Sequence, residues 1–431
     1  MMLYNIRKVT DDLYYVGGND HRTHLFENIH PIPEGVSYNS YLLKDEKNVL
    51  IDTVDWSIVK DFLERIKVVL NGESLDYLLI HHLELDHAAA IEEVVLRYPD
   101  VKVICSEQGF EFMSQTGYDI KAENKIIVKE GDTFSFGKHT FAFIEAPMVH
   151  WPEVIMSLDV TNGCLFSADA FGTFGALDGK LFNDEVNFDR DYLDHMRRYL
   201  TNIVGKYGAF VQDVLKKAAP LLPQVKFICP LHGPVWRNNF EYIIGKYDTW
   251  SKYEPEEYGV LIVYGSMYGN TERAAQELAS DLCEKGMTNV AVRDVSSTHV
   301  SYLISDAFKY SHIVLASVTY NLGIYPPMKD FLNDMEALNL QNRTVGILEN
   351  GTWACTVGDK MESFLDENMK LMDVLNERVT INTSLNAANR SDMDGLTDAL
   401  IDSINNLKEL KAKKLKSKKK PLSLTDLGVF T

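Results

Sequence analysis

Short apolar runs that end on a polar or turn-forming residue alternate with stretches of helical spacing along most of this chain. Leu75-Asp-Tyr-Leu-Leu-Ile80 has the look of a buried strand, and Ala88 to Arg97 carries the spacing of a helix. Strand-like runs recur at Phe141–Val149, Cys164–Asp169 and Phe227–Leu231, each followed by glycine or proline. A tyrosine-rich stretch from Tyr242 to Tyr258 reads as a helix followed by a linker at Pro255. Beyond it the alternation becomes regular. Strands are expected at Gly259–Tyr264, Val290–Val292, Ile313–Ser317, Val345–Glu349 and Arg378–Ile381, with helices such as Glu272–Lys285 and Tyr325–Leu338 between them. Strands alternating with helices predict a doubly wound parallel sheet, whose ligand sits beyond the carboxyl ends of the strands.

Length turns this pattern into a domain plan. A chain of 431 residues exceeds what one hydrophobic core usually organises, and 45% hydrophobic with 24% charged residues is ordinary globular composition. The expected division is residues 1–254, residues 255–406, and a Lys-rich tail over 407–431. No apolar run reaches the length of a membrane span, and the start, Met1 to Arg7, lacks the regions of a signal peptide, so the cytoplasm is the expected location. Five cysteines without a Cys-x-x-Cys pair argue against a disulfide framework, and against a rubredoxin-type iron site or zinc ribbon within the chain. Cys164 and Cys229 read as small buried hydrophobes.

The net charge of −19 is unevenly spread. Between Lys408 and Lys420 stand eight lysines and one glutamate, so the rest of the chain carries −26. An acidic body of this kind argues against nucleic acid as a partner, since phosphate neutralisation needs basic surface. The tail itself reads as a solvated end, frayed helix or disordered, with docking to an acidic surface as the alternative.

The densest chemistry lies at His81-His82-Leu83-Glu84-Leu85-Asp86-His87, in the loop between the Leu75–Ile80 strand and the following helix. Mixed carboxylate and imidazole donors suit iron or manganese better than zinc. Residues two apart on extended backbone point the same way, so His82, Glu84 and Asp86 are expected to share a side, with His87 at the helix start. His150, Asp169 and His232 each stand at a strand end beside a turn former, where residues remote in sequence converge. Together these residues make a two-metal inventory of four histidines and three carboxylates.

The pattern His82-x-Glu84-x-Asp86-His87, then 62 residues to His150, 18 to Asp169 and 62 to His232, resembles the metallo-β-lactamase-like domain of flavodiiron proteins. In zinc hydrolases of that fold a histidine would stand at Glu84. The resemblance implies one iron on His82, Glu84 and His150, a second on Asp86, His87 and His232, and Asp169 bridging them. His81 falls outside that ligand pattern and is expected to make a hydrogen bond or lie at the surface.

Three strand-end loops in the second half look built for one nucleotide. Ser266-Met267-Tyr268-Gly269-Asn270-Thr271 opens a helix without the lysine of an ATPase loop, so phosphate there would be an anchor and not a reacting group. Ser317-Val318-Thr319-Tyr320-Asn321-Leu322 and Glu349-Asn350-Gly351-Thr352-Trp353-Ala354 add polar atoms and two aromatic faces. This half resembles flavodoxin, which implies FMN. Glu349 and Trp353 depart from the usual third loop and are expected to bear on the flavin's potential.

The whole chain therefore resembles the flavodiiron proteins in their minimal form: an αββα sandwich of metallo-β-lactamase type followed by a flavodoxin-like sheet. The resemblance implies reduction of O2 to water or NO to N2O, two Fe and FMN as cofactors, and a head-to-tail homodimer. It also implies electrons from a separate donor such as rubredoxin. A dinuclear hydrolase with an appended flavodoxin half is the rival reading, and a plain electron carrier a further one. His24, Trp151 and Tyr268 are candidates to bias the choice of gas.

Overall fold

The computed structural model describes residues 5–418 and divides into two compact units between Lys252 and Tyr253. Expectations for residues 1–4 and 419–431, the chain start and the end of the Lys-rich segment, lie outside the described residues.

The first unit holds a seven-stranded and a five-stranded sheet. Alternation along the strands explains how they layer. Tyr41, Leu43, Val49, Ile51, Leu79 and Ile104 of the larger sheet share one core with Phe141, Phe143, Ile155, Cys164, Phe166 and Cys229 of the smaller. The intervening residues, such as Leu42, Leu50, Leu78, Met156, Leu165 and Ile228, belong to a second core with helix residues. Phe62 and Ile66 reach that core from the helix Val59–Leu70, and Val211, Val214 and Ile243 from Gly208–Ala218 and Phe240–Ser251. The layers thus run helix, sheet, sheet, helix, as expected from the sequence. Cys164 and Cys229 are buried free thiols.

The second unit is a parallel sheet in which Glu257–Gly265 lies between Val290–Asp294 and Tyr310–Tyr320, followed by Arg343–Asn350 and Met372–Ile381. First strand beside both second and third is the order that leaves a ligand crevice at the reversal. Helices cover both faces, Asn270–Glu284 and Arg390–Lys418 packing on one core and Val300–Lys309, Pro326–Ala337 and Val357–Asn368 on the other. The last helix runs through residue 407 without a break, and the Lys411 ammonium lies 5.3 Å over the Tyr258 ring. Among the described residues no helix is long and apolar enough to cross a membrane.

Candidate functional site

Four short strands end just before chemistry-bearing residues, and a helical turn supplies the rest. Tyr77–Leu79 leads to His82, Thr140–Glu145 to His150, Cys164–Phe166 to Asp169, and Phe227–Cys229 to His232. The fifth contribution differs from the expected geometry. Asp86 and His87 lie within one helical turn, Leu85–Ala88, with Glu84 in extended conformation at its start. Asp86 therefore turns away from His82 and Glu84 instead of sharing their side. The structure gathers His82, Glu84, His150 and Asp169 in one group and Asp86, His87 and His232 in another, ligand-type atoms within each lying within 4.8 Å of one another.

Asp169 faces both groups. Its Oδ2 is 3.2 Å from His82 Nε2 and 3.4 Å from His150 Nε2, while Oδ1 is 3.3 Å from His87 Nε2 and 3.7 Å from His232 Nε2. Glu84 Oε2 lies 2.9 Å from His150 Nε2, and Asp86 Oδ2 lies 3.1 Å from both His87 Nε2 and His232 Nε2. Gly233, at φ +77°, lets the chain turn after His232, since a Cβ there would run into Thr173.

These contacts are close without being satisfied. Both oxygens of Asp86 and both of Asp169 are buried without an aligned hydrogen bond, and the Nε2 atoms of His87 and His232 face each other at 3.0 Å. Burial opposes the imidazolium form of His87, yet Asp86 and Asp169 hold it up at about 10; His150 is raised to about 9 against burial by Asp169 and Glu84. So concentrated a negative charge, with orphaned oxygens converging, fits a pair of cations. Carboxylates with imidazoles and no thiolate fit iron.

Several neighbours were not singled out in the sequence. Glu153 Oε1 accepts from His82 Nδ1 at 2.8 Å and from the Leu83 N–H at 2.9 Å. Glu27 hydrogen-bonds Glu84, and burial followed by the charge of Glu84 pushes its carboxyl up to about 8. His81, expected to make a hydrogen bond or lie at the surface, is fully buried and bonded to Asp52 Oδ2 at 2.6 Å and to Ser157 Oγ at 2.7 Å, which makes it a strut between the two sheets. Of the expected selectivity candidates, Trp151 stands edge-on to His82 with ring centres 5.3 Å apart, whereas His24 is exposed. The rings of Phe26, Tyr38 and Tyr199 wall His232 at 5.3 to 5.8 Å. Only Trp151-Pro152-Glu153, an acid entering an apolar run, offered a local signal.

In the second unit the three loops leave the strand ends as expected. The Ser266 hydroxyl accepts from the Gly269 N–H at 3.0 Å, and the helix Asn270–Glu284 starts with no side-chain cap. Its free N–H groups fit a phosphate. Buried Ser317 and Val318 give way to exposed Tyr320, Asn321 and Leu322, with Thr319 between them accepting from the Thr356 N–H at 3.1 Å. Glu349, Asn350 and Gly351 are buried, followed by exposed Thr352 and Trp353. Trp353 is 80% and Tyr268 90% exposed, large aromatic faces held in solvent beside a phosphate-binding turn, which fits a flat ring ligand. Glu349 points elsewhere. Its carboxylate accepts from the Gly358 N–H and from the Thr380 hydroxyl, both at 2.9 Å. Asn350 reaches Thr271 at 3.2 Å and Thr383 at 3.1 Å, tying a fourth loop, missed in the sequence, to the first and third.

Two family models match the chain, the ODP family beta lactamase over residues 36–233 and flavodoxin over residues 262–381. The anaerobic nitric oxide reductase flavorubredoxin of Citrobacter koseri is 30% identical over 364 residues, 83% of this chain and 74% of that protein. The rubredoxin oxygen:oxidoreductase of Desulfovibrio gigas superposes with a TM-score of 0.85 at 28% identity, covering 93% of this chain and 99% of that one. The flavodiiron protein of Giardia intestinalis, at 24% identity, shares the fold, with a TM-score of 0.86 over 94% and 97% of the two chains.

Proposed function

This chain belongs to the flavodiiron protein family of oxidoreductases, with two irons and FMN as its cofactors, and from that membership we propose that it reduces a small diatomic gas. The gas is dioxygen, taken to water, or nitric oxide, taken to nitrous oxide, with electrons from an external carrier of rubredoxin type. The observation that carries the reading is the Asp169 carboxylate, which turns one oxygen toward each of two histidine and carboxylate groups. One iron is assigned to His82, Glu84 and His150, the other to Asp86, His87 and His232, and Asp169 spans both. When bound, the irons supply electrons and open positions to the gas, and FMN refills them from the carrier.

The protein's own groups prepare that site. Nδ1 of His232 donates to the Ser37 carbonyl at 2.7 Å, which leaves its Nε2 free to coordinate. Glu27 stands beside Glu84 at the edge of the other group. The rings of Phe26, Tyr38 and Tyr199 keep water from the His232 side. In the second unit the uncapped start of Asn270–Glu284 anchors the FMN phosphate, with Tyr268, Tyr320 and Trp353 available to its ring system.

The deciding experiment combines metal analysis with anaerobic reduction and parallel O2 and NO consumption on one sample. Two irons and one FMN per chain, with turnover of at least one gas, are expected. Two zinc ions and no iron would remove the two-iron reading and favour the hydrolase, and inertness of the fully loaded protein toward both gases would remove the reductase reading. A head-to-tail homodimer, pairing the FMN of one protomer with the irons of its partner, belongs to the same proposal, closed two-fold assemblies being the commonest kind. A monomer active at full rate in sedimentation-matched assays would contradict it.

A further inference from the structure

Glu153 is a buried carboxylate with an unusual set of partners. Its side chain is 0% exposed, and one oxygen, Oε1, takes both donors, His82 Nδ1 at 2.8 Å and the Leu83 N–H at 2.9 Å. The other oxygen, Oε2, is buried with no hydrogen-bond partner among the described residues, and no lysine or arginine pairs with this side chain there. A carboxylate held this way is costly unless a positive charge compensates it. The only route to one runs through His82, whose Nε2 faces Glu84 and Asp169 on the far side of the ring.

The second group of ligand-type residues has no equivalent. His232 Nδ1 is backed by a neutral carbonyl, that of Ser37, and His87 Nδ1 is buried without a partner. A carboxylate behind an imidazole makes it a stronger donor to a metal than a carbonyl does.

We propose that Glu153 makes the two halves of the metal centre unequal. Through His82 its negative charge tightens the half built on His82, Glu84 and His150 and favours the ferric state there, relative to the half built on Asp86, His87 and His232. Glu153 touches neither gas nor metal and is a positioning residue. The inference rests on the two-iron reading above.

Glu153→Gln tests the charge alone, because a glutamine Oε1 at the same place still accepts from both His82 and Leu83. Demetallated wild type is first titrated with Co(II), and binding of two ions per chain is required; any other stoichiometry overturns the two-metal reading and this inference with it. With two ions bound in wild type, E153Q should lose about 10–100-fold in affinity at one site and nothing at the other. In iron-loaded E153Q the two one-electron potentials, followed by EPR and Mössbauer spectroscopy, should move closer together. Equal weakening of both sites overturns the assignment of asymmetry. Wild-type behaviour of E153Q, beside loss of a site in Glu153→Ala, reduces Glu153 to a loop-fixing acceptor and overturns the role of its charge. A test that needs no variant is the position of a single Co(II) equivalent in wild-type crystals by anomalous diffraction. It should lie at His82, and occupancy at His232 overturns the proposal.

Discussion

At the scale of single residues, Asp169 carries the heaviest prediction. Its two oxygens face different groups, so Asp169→Ala should strip metal from both, while FMN binding, which depends on the second unit, stays at the wild-type level. Iron and flavin counts on the purified variant check this; loss of one iron only would break the bridging assignment. Alone, Asp169 reads in the sequence as an ordinary strand-end polar residue; it stood out only beside the His82–His87 loop, His150 and His232, and its bridging role came from the family resemblance. His150 and His232 were read in the same way, and His82 from the density of its own loop. Glu27 and Glu153 were missed, because an isolated glutamate looks the same in a string whether it faces water or a buried partner. The geometric argument that put Asp86 beside Glu84 assumed extended backbone. The turn Leu85–Ala88 is helical, and a two-residue step in a helix points nearly opposite ways.

Among elements, the helix Val357–Asn368 shows how a strand-end residue can be misread. Glu349 stands at the end of Arg343–Asn350, where a carboxylate beside a flavin loop suggests control of potential. Its oxygens instead accept from the Gly358 N–H in the first turn of that helix and from the Thr380 hydroxyl, a negative charge at a helix start. Glu349→Ala leaves both donors unpaired in a buried place and should cost about 1–3 kcal/mol of stability. Urea unfolding of the holoprotein gives that cost, and potentiometry of the flavin should show an unchanged midpoint. A shifted midpoint with unchanged stability would restore the role expected from sequence. Strand and helix positions in this unit were otherwise readable because the inner strands carry unbroken apolar runs at their centres, Val260–Val263, Ile313–Ala316 and Val345–Leu348, as parallel strands covered on both faces must. The loop at Thr383 and Ser384 escaped notice because its polar residues follow a strand, Met372–Ile381, whose own pattern is half exposed.

For the molecule as a whole, the boundary at Lys252 and Tyr253 has a thermodynamic meaning. None of the four core clusters among the described residues draws members from both sides of it: no buried member of the first unit's two lies beyond Trp250, and none of the second's lies before Tyr253. Each unit buries its own apolar residues, which is the condition for folding alone. A fragment of residues 253–431 should therefore fold and retain FMN binding, since all the flavin loops lie within it. A fragment of residues 1–252 should take up two irons. Flavin fluorescence quenching and iron analysis on the separate fragments measure both. Gas consumption driven by a reduced rubredoxin-type carrier should need the two units together, since the first lacks the flavin loops and the second the metal ligands. An unfolded second fragment, or one that has lost FMN, would mean that the boundary divides contacts without dividing stability.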